Sequence, residues 1–193
     1  MKSIKFLLLS LIATNAMGIE TLKYNVLKKD KNIEIREYKS YIAASVTFKS
    51  KSEFDEKAFR TLADYIFGNN ISMTAPVLTK GEKIGMTSPV LSNEQLEGWT
   101  MTFSMPSRYT LETLPTPKNE KVKIHQVERS KFAVIRFSGF MSDYNFNKNT
   151  ERLKSWLDDN SYNHNNSFLR AGYNPPWTLP FLRRNEVLIP LTY

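Results

Sequence analysis

Ala171-Gly172-Tyr173-Asn174-Pro175-Pro176-Trp177-Thr178-Leu179-Pro180-Phe181-Leu182-Arg183-Arg184-Asn185-Glu186-Val187 is the stretch on which the reading of this chain turns. It holds three of the nine prolines and leads, through a paired-arginine run, into an apolar C-terminal segment that reads as a last strand. Proline removes backbone freedom, so Tyr173, Trp177 and Phe181 are presented at low entropic cost, either as packing over a core or as the rim of a pocket for a flat ligand.

Working outward, strand-like alternation covers Leu22 to Phe48, with Tyr24 and Val26, then Ile33 and Ile35, then Ile42, Ala44, Val46 and Phe48 on alternate positions. Asp30-Lys31-Asn32 supplies a turn. From Phe54 to Phe67 the spacing becomes helical: Phe59, Leu62, Ala63, Ile66 and Phe67 make one apolar face, Ser52 is the expected N-cap and Gly68 the expected stop. Met73-Thr74-Ala75-Pro76-Val77 and Met86-Thr87-Ser88-Pro89-Val90 repeat one pattern, and Gly81-Glu82 between them suits a II′ hairpin turn. Pro76 and Pro89 lack a donor, so irregular pairing is expected there. Trp99 to Met105 alternates again, Leu114 to Asn119 reads as a loop, and strands return at Val122 to Val127 and Phe132 to Phe137. A second helix is expected within Tyr144 to Asp159, carried by Leu153, Trp156 and Leu157.

Ala43–Phe48 and Ala133–Ser138 each precede a helix, which gives the chain an internal period near 90 residues. The expected class is therefore α+β, with duplicated β-α-β units bringing strands around a common core and two main helices packed outside. At this length one domain is expected, with roughly 70% of the unfolded surface buried.

Residues 1–18 read as a signal peptide: Lys2 and Lys5 are the charged start, Phe6–Ala13 the apolar centre, and Ala16 or Gly18 the small residue at the cleavage point. The apolar run is far shorter than the roughly 20 residues that span a bilayer. The expected product is an exported single domain, 19–193, without a transmembrane anchor, in the periplasm or outside the cell. The chain has no cysteine, which removes disulfides, thiolate nucleophiles, thiolate metal ligation and a lipoprotein anchor. Its formal charge of +8 falls to about +6 without Lys2 and Lys5, and no run resembles a nucleic-acid arm.

There are two histidines, His125 and His164, and neither has metal-site spacing, so no metal centre is expected. Ser138-Gly139 is not a nucleophile elbow, no glycine-rich phosphate loop occurs, and no carboxylate dyad stands out, so the chain does not read as an enzyme. Met73, Met86, Met101 and Met105 read as core filling.

The tail, with Tyr65-Ile66-Phe67-Gly68-Asn69-Asn70, the two Met-Thr-x-Pro-Val segments and Val134-Ile135-Arg136-Phe137-Ser138-Gly139-Phe140, resembles the SOUL/heme-binding protein family from about Tyr24 to Leu191. The resemblance implies a distorted antiparallel β-barrel flanked by two helices, and heme or a related tetrapyrrole as ligand, held in a shallow apolar groove with no strong axial ligand. Carried onto this chain, the groove would use Phe59, Leu62, Ala63 and Ile66 of the first helix with Tyr173 and Trp177 of the tail. Lys57, Arg60 and Arg183 would pair with the propionates, although Asp55, Glu56 and Asp64 on the same helix work against binding an anion. The function implied is that of an exported carrier, buffer or sensor of tetrapyrroles. Similar duplicated folds serve as effector-binding domains, so the alternative is a non-catalytic module for another hydrophobic small molecule or a protein partner.

Overall fold

The computed structural model describes residues 20–69, 71, 74–75, 77–81, 98–164, 167–175 and 177–192. The expected leader at 1–18 and the second Met-Thr-x-Pro-Val segment therefore lie outside the described residues, as do Met73, Pro76 and Glu82 of the expected turn.

Short strand β1 (Glu20–Thr21) pairs in parallel with β5 (Thr74–Ala75). The remaining strands are β2 (Tyr24–Asp30), β3 (Ile33–Tyr38), β4 (Tyr41–Phe48), β6 (Val77–Gly81), β7 (Trp99–Ser104), β8 (Lys123–Val127), β9 (Ser130–Phe137), β10 (Leu169–Gly172) and β11 (Asn185–Pro190). They form one nine-stranded antiparallel sheet, in the order β2-β3-β9-β11-β10-β6-β7-β4-β8, curled into a half-barrel. Helices α1 (Lys51–Gly68) and α2 (Asp143–Asp159) follow β4 and β9.

The duplication is real and takes the form β-β-α-β-β. β3-β4-α1-β6-β7 matches β8-β9-α2-β10-β11, and the first strand of each unit is exchanged: β3 pairs with β9, and β8 with β4. The units join through β6 and β10. Neither unit closes its own sheet, so the described strands of both units share one sheet.

Side-chain alternation separates two faces of the sheet. On β4 and β7, Ala44, Val46, Phe48 and Phe103 pack with Leu62 and Ile66 of α1. On β9 and β11, Ala133, Ile135, Val187 and Ile189 pack with Leu153 and Leu157 of α2. The intervening residues Val134 and Leu188 turn to the opposite, concave face, where Tyr38, Leu78 and Ala171 complete a third cluster.

Local chemistry sets the helix ends. Ser142 caps α2 by accepting the Asn145 amide at 3.3 Å. At α1 the cap position is Ser50, two residues before the expected Ser52, and its hydroxyl makes no cap bond; Phe54 N–H donates to the Ser50 carbonyl at 3.0 Å instead. At the other end, Asn69 donates from its side chain to the Tyr65 carbonyl at 2.7 Å. The buried arc of α1 is Phe54, Ala58, Leu62, Ala63, Tyr65 and Ile66. Phe59 and Phe67, expected on that face, are 49% and 61% exposed. The aromatic pair marked the edge of the arc, because Phe54 and Tyr65 shift its centre away from them.

The arc makes a measurable contrast. Leu62→Ala should destabilise the fold by about 2–5 kcal/mol in urea unfolding, whereas Phe59→Ala should cost less than about 1.5 kcal/mol, since its ring keeps only an edge contact with Phe103 at 5.6 Å.

Candidate functional site

The Arg183-Arg184-Asn185-Glu186 run resolves into two faces of β11. Asn185 points to the helix side and donates to the Gly139 carbonyl at 3.0 Å. Glu186 points to the concave face, is fully buried, and accepts four hydrogen bonds. Arg36 of β3 supplies two, Nη1 to Oε2 at 2.8 Å and Nη2 to Oε1 at 3.1 Å. Arg184 Nε donates to Oε1 at 2.9 Å and the Tyr173 hydroxyl to Oε2 at 2.6 Å. Arg36 also bonds Glu34 through Nε at 2.7 Å and stacks at 4.2 Å over the Tyr24 ring, while Arg184 stacks at 3.8 Å over Tyr173.

A buried carboxylate is tolerated only when its lone pairs and charge are answered, and here two guanidiniums and a phenol do so. Arg36 and Arg184 balance Glu34 and Glu186, and Lys29, 3.1 Å from Glu34 at the exposed rim, adds one further positive charge. Desolvation opposes the charge on Arg36, but the bonds and proximity of Glu186 outweigh it and hold the guanidinium above its usual range. Burial pushes the Tyr38 phenol up to about 12 and raises that of Tyr173 further, with the nearby Glu186 charge acting in the same direction. The assembly is thus a structural latch in which each buried polar side-chain atom has a partner.

The residues expected to form the groove separate in space. Leu62 and Ile66 are in the core beneath α1, Ala63 lies at the margin, and Phe59 faces outward. Tyr173 is on the concave side of the sheet, with its hydroxyl committed to Glu186 and its ring to Arg184. Trp177 is 82% exposed on the tail loop. Lys57 lies 3.6 Å from Glu53 on the surface of α1, and Arg60 is exposed one position after Phe59. Arg183 donates from Nε to the Thr178 carbonyl at 2.7 Å and lies 5.9 Å above the Phe140 ring. What does assemble on α1 is an outward strip of two aromatics at i and i+8, Phe59 and Phe67, flanking the buried Ala63, with Arg60 beside it.

Two concavities were not legible in the sequence. A pocket of about 450 Å³ opens between β1, the β3–β4 turn, β4 and the 106–112 loop, and Tyr41, Ile42, Met105, Tyr109 and Leu111 line it. A cleft of about 350 Å³ separates the first turns of the helices, between Lys51 and Phe54 of α1 and Met141, Phe146 and Arg170. Both join segments far apart in sequence, and loop residues without periodicity supply much of the first.

His125 is exposed on β8, beside the half-buried Ile124 that packs on the α1 core. His164 approaches Asp158 through Nε2 at 3.1 Å. Among the described residues no cluster of three or more His, Cys, Asp or Glu is arranged to hold a metal ion, and no helix is long and apolar enough to cross a membrane.

Removing the carboxylate from the latch leaves Arg36 buried without its partner, so Glu186→Ala should cost about 3–5 kcal/mol in urea unfolding; a cost below about 1 kcal/mol would contradict the account. Because Tyr38 and Tyr173 are raised from the ordinary value of 10.0, their contribution is complete below pH 10 and is lost as pH rises past it, where the unfolded chain ionises first. In an alkaline titration followed by circular dichroism and tyrosinate absorbance, the last tyrosines to ionise should do so together with unfolding.

Comparisons with known proteins agree with this architecture. The family model described as SOUL heme-binding protein matches residues 19–190. Heme-binding protein 1 of Xenopus tropicalis is 27% identical over 182 residues, covering 88% of this chain and 91% of its own. Heme-binding protein 1 of Mus musculus is 28% identical over 193 residues, covering 93% and 97%. Among solved structures, an uncharacterized conserved protein from Listeria innocua superposes with a TM-score of 0.63 at 13% identity, covering 84% of this chain and 93% of that one. The C-terminal domain of EcmrR gives 0.61 at 14% identity, with 88% and 98% covered. At these identities the solved structures bear on fold alone. The family match spans nearly the whole described fold, and the chain belongs to the SOUL heme-binding protein family.

Proposed function

We propose that this chain is an exported, non-catalytic carrier, buffer or sensor of heme or a related tetrapyrrole, and that the macrocycle docks on the outward strip of α1. The observation that carries the location is the exposure of Phe59 and Phe67 on either side of Ala63. Two large aromatic side chains left partly in water at the edge of a packed helix arc are a standing source of apolar area. Covering them with a porphyrin face gains roughly 25 cal/mol per Å². Arg60 and Lys57 supply cations for the propionates. The neighbouring Glu53, Glu56 and Asp64 weaken that attraction, so a modest affinity is expected.

Neither histidine lies on α1 or the tail loop, and the chain has no cysteine, so the expected binding is without strong axial ligation and with a small Soret change. Export rests on the leader-like pattern at 1–18 alone.

A second reading is favoured by the 450 Å³ pocket, whose Ile42, Met105 and Leu111 suit a different hydrophobic small molecule. Hemin titration separates the two. Phe59→Ser/Phe67→Ser should weaken binding about tenfold or more, and Arg60→Glu several-fold, with the fold retained by circular dichroism. Unchanged affinity in both variants, with loss in Leu111→Glu, would place the ligand in the pocket and overturn the α1 assignment.

A further inference from the structure

The tail loop and the segment leading into α2 form one surface. Gly139 N–H donates to the Pro180 carbonyl at 2.8 Å, Asn185 donates from its side chain to the Gly139 carbonyl, and Arg183 bridges Thr178 and the Phe140 ring. Within the loop, Thr178 N–H bonds the Pro175 carbonyl at 3.0 Å and Leu182 N–H the Leu179 carbonyl at 2.9 Å, so the backbone is fixed from within. Yet its side chains point into water: Phe140, Met141, Tyr144, Trp177, Phe181 and Leu182 are all exposed, Trp177 to 82%, Tyr144 to 73% and Phe181 to 70%. Scattered surface hydrophobics need no explanation, but these and the exposed Leu179, seven large ones on two tethered segments, do.

The charges around them are one-sided. Gly172–Asn185 contains no carboxylate and two arginines, of which Arg184 is committed to Glu186 and Arg183 lies over the Phe140 ring, and Phe137–Ser142 contains no charged residue. The acids that flank the two segments are both paired, the exposed Asp143 with Arg170 and the buried Glu186 with Arg36 and Arg184, while Lys148 lies exposed one turn beyond Tyr144 on α2. Trp, Tyr and Phe among Leu and Met, with cations beside them and a net charge of about +6 on the domain without Lys2 and Lys5, match the layered chemistry of an anionic bilayer surface: acyl boundary, carbonyl zone, negative headgroup.

We propose that this face is an interfacial docking surface for anionic lipid membranes, on which the domain sits with Trp177 and Phe181 inserted at headgroup depth. The surface is separate from the α1 strip and does not depend on the tetrapyrrole reading. The test is cosedimentation of the full domain with phosphatidylcholine vesicles, with and without phosphatidylglycerol. Wild type should bind the anionic vesicles, more weakly as salt rises, with a blue shift of tryptophan emission. Trp177→Ser/Phe181→Ser should lose about tenfold or more of that affinity and the blue shift, while melting and hemin binding stay as in wild type. Lys148→Glu should weaken binding several-fold. The proposal is overturned by absence of vesicle binding, by equal binding in the double variant, or by a wild-type dimer that the double variant converts to monomer without any vesicle binding.

Discussion

One buried carboxylate governs how this chain closes. Glu186 sits on a strand laid down late in the chain and is answered by Arg36 from its beginning, by Arg184 two residues before it, and by the phenol of Tyr173 at the end of the preceding strand. Leaving that charge unpaired in the interior costs several kcal/mol, so the concave face assembles with all three partners in place or pays that penalty. The latch links β3, β11 and the tail loop, and it sits across the seam where the strand exchanged from the first unit meets the second.

From that constraint follows the division of labour between the faces. The concave face is filled by the latch and by Tyr38, Leu78, Val134 and Leu188; the other face is covered by the helices. What remains for recognition is the outside of α1, the surface around the tail loop, and the pocket beside β1. Duplicated sheets of this shape also occur in the EcmrR C-terminal domain, and the shared fold carries no ligand with it. Function is set by which side chains each member leaves in water.

Much of this was legible in the residues. Period-two alternation located β3, β4, β7 and β9, helical spacing located both helices, and the similar intervals before them revealed the duplication. The exchange of β3 and β8 between units was not legible, because periodicity says which face a residue takes but not which strand lies beside it. For the same reason the apolar set on α1 read as one face, although Phe54 and Tyr65 draw the buried arc aside and leave Phe59 and Phe67 outside. Tyr173 and Arg183 looked available to a ligand; the structure gives the first to Glu186 and the second to the Thr178 carbonyl. Polar side chains on an unusual loop carry the same letters whether they serve a ligand or the fold, and only the position of their partners distinguishes them.

The central claim is that the tetrapyrrole lies on the outside of α1, away from the latch and the tail. Amide chemical-shift mapping with a diamagnetic protoporphyrin tests it directly. The account predicts perturbations concentrated from Glu56 to Phe67, with the amides of Tyr173, Glu186 and the Tyr41–Leu111 pocket unmoved. Shifts centred on that pocket or on Tyr173, with α1 silent, would contradict it.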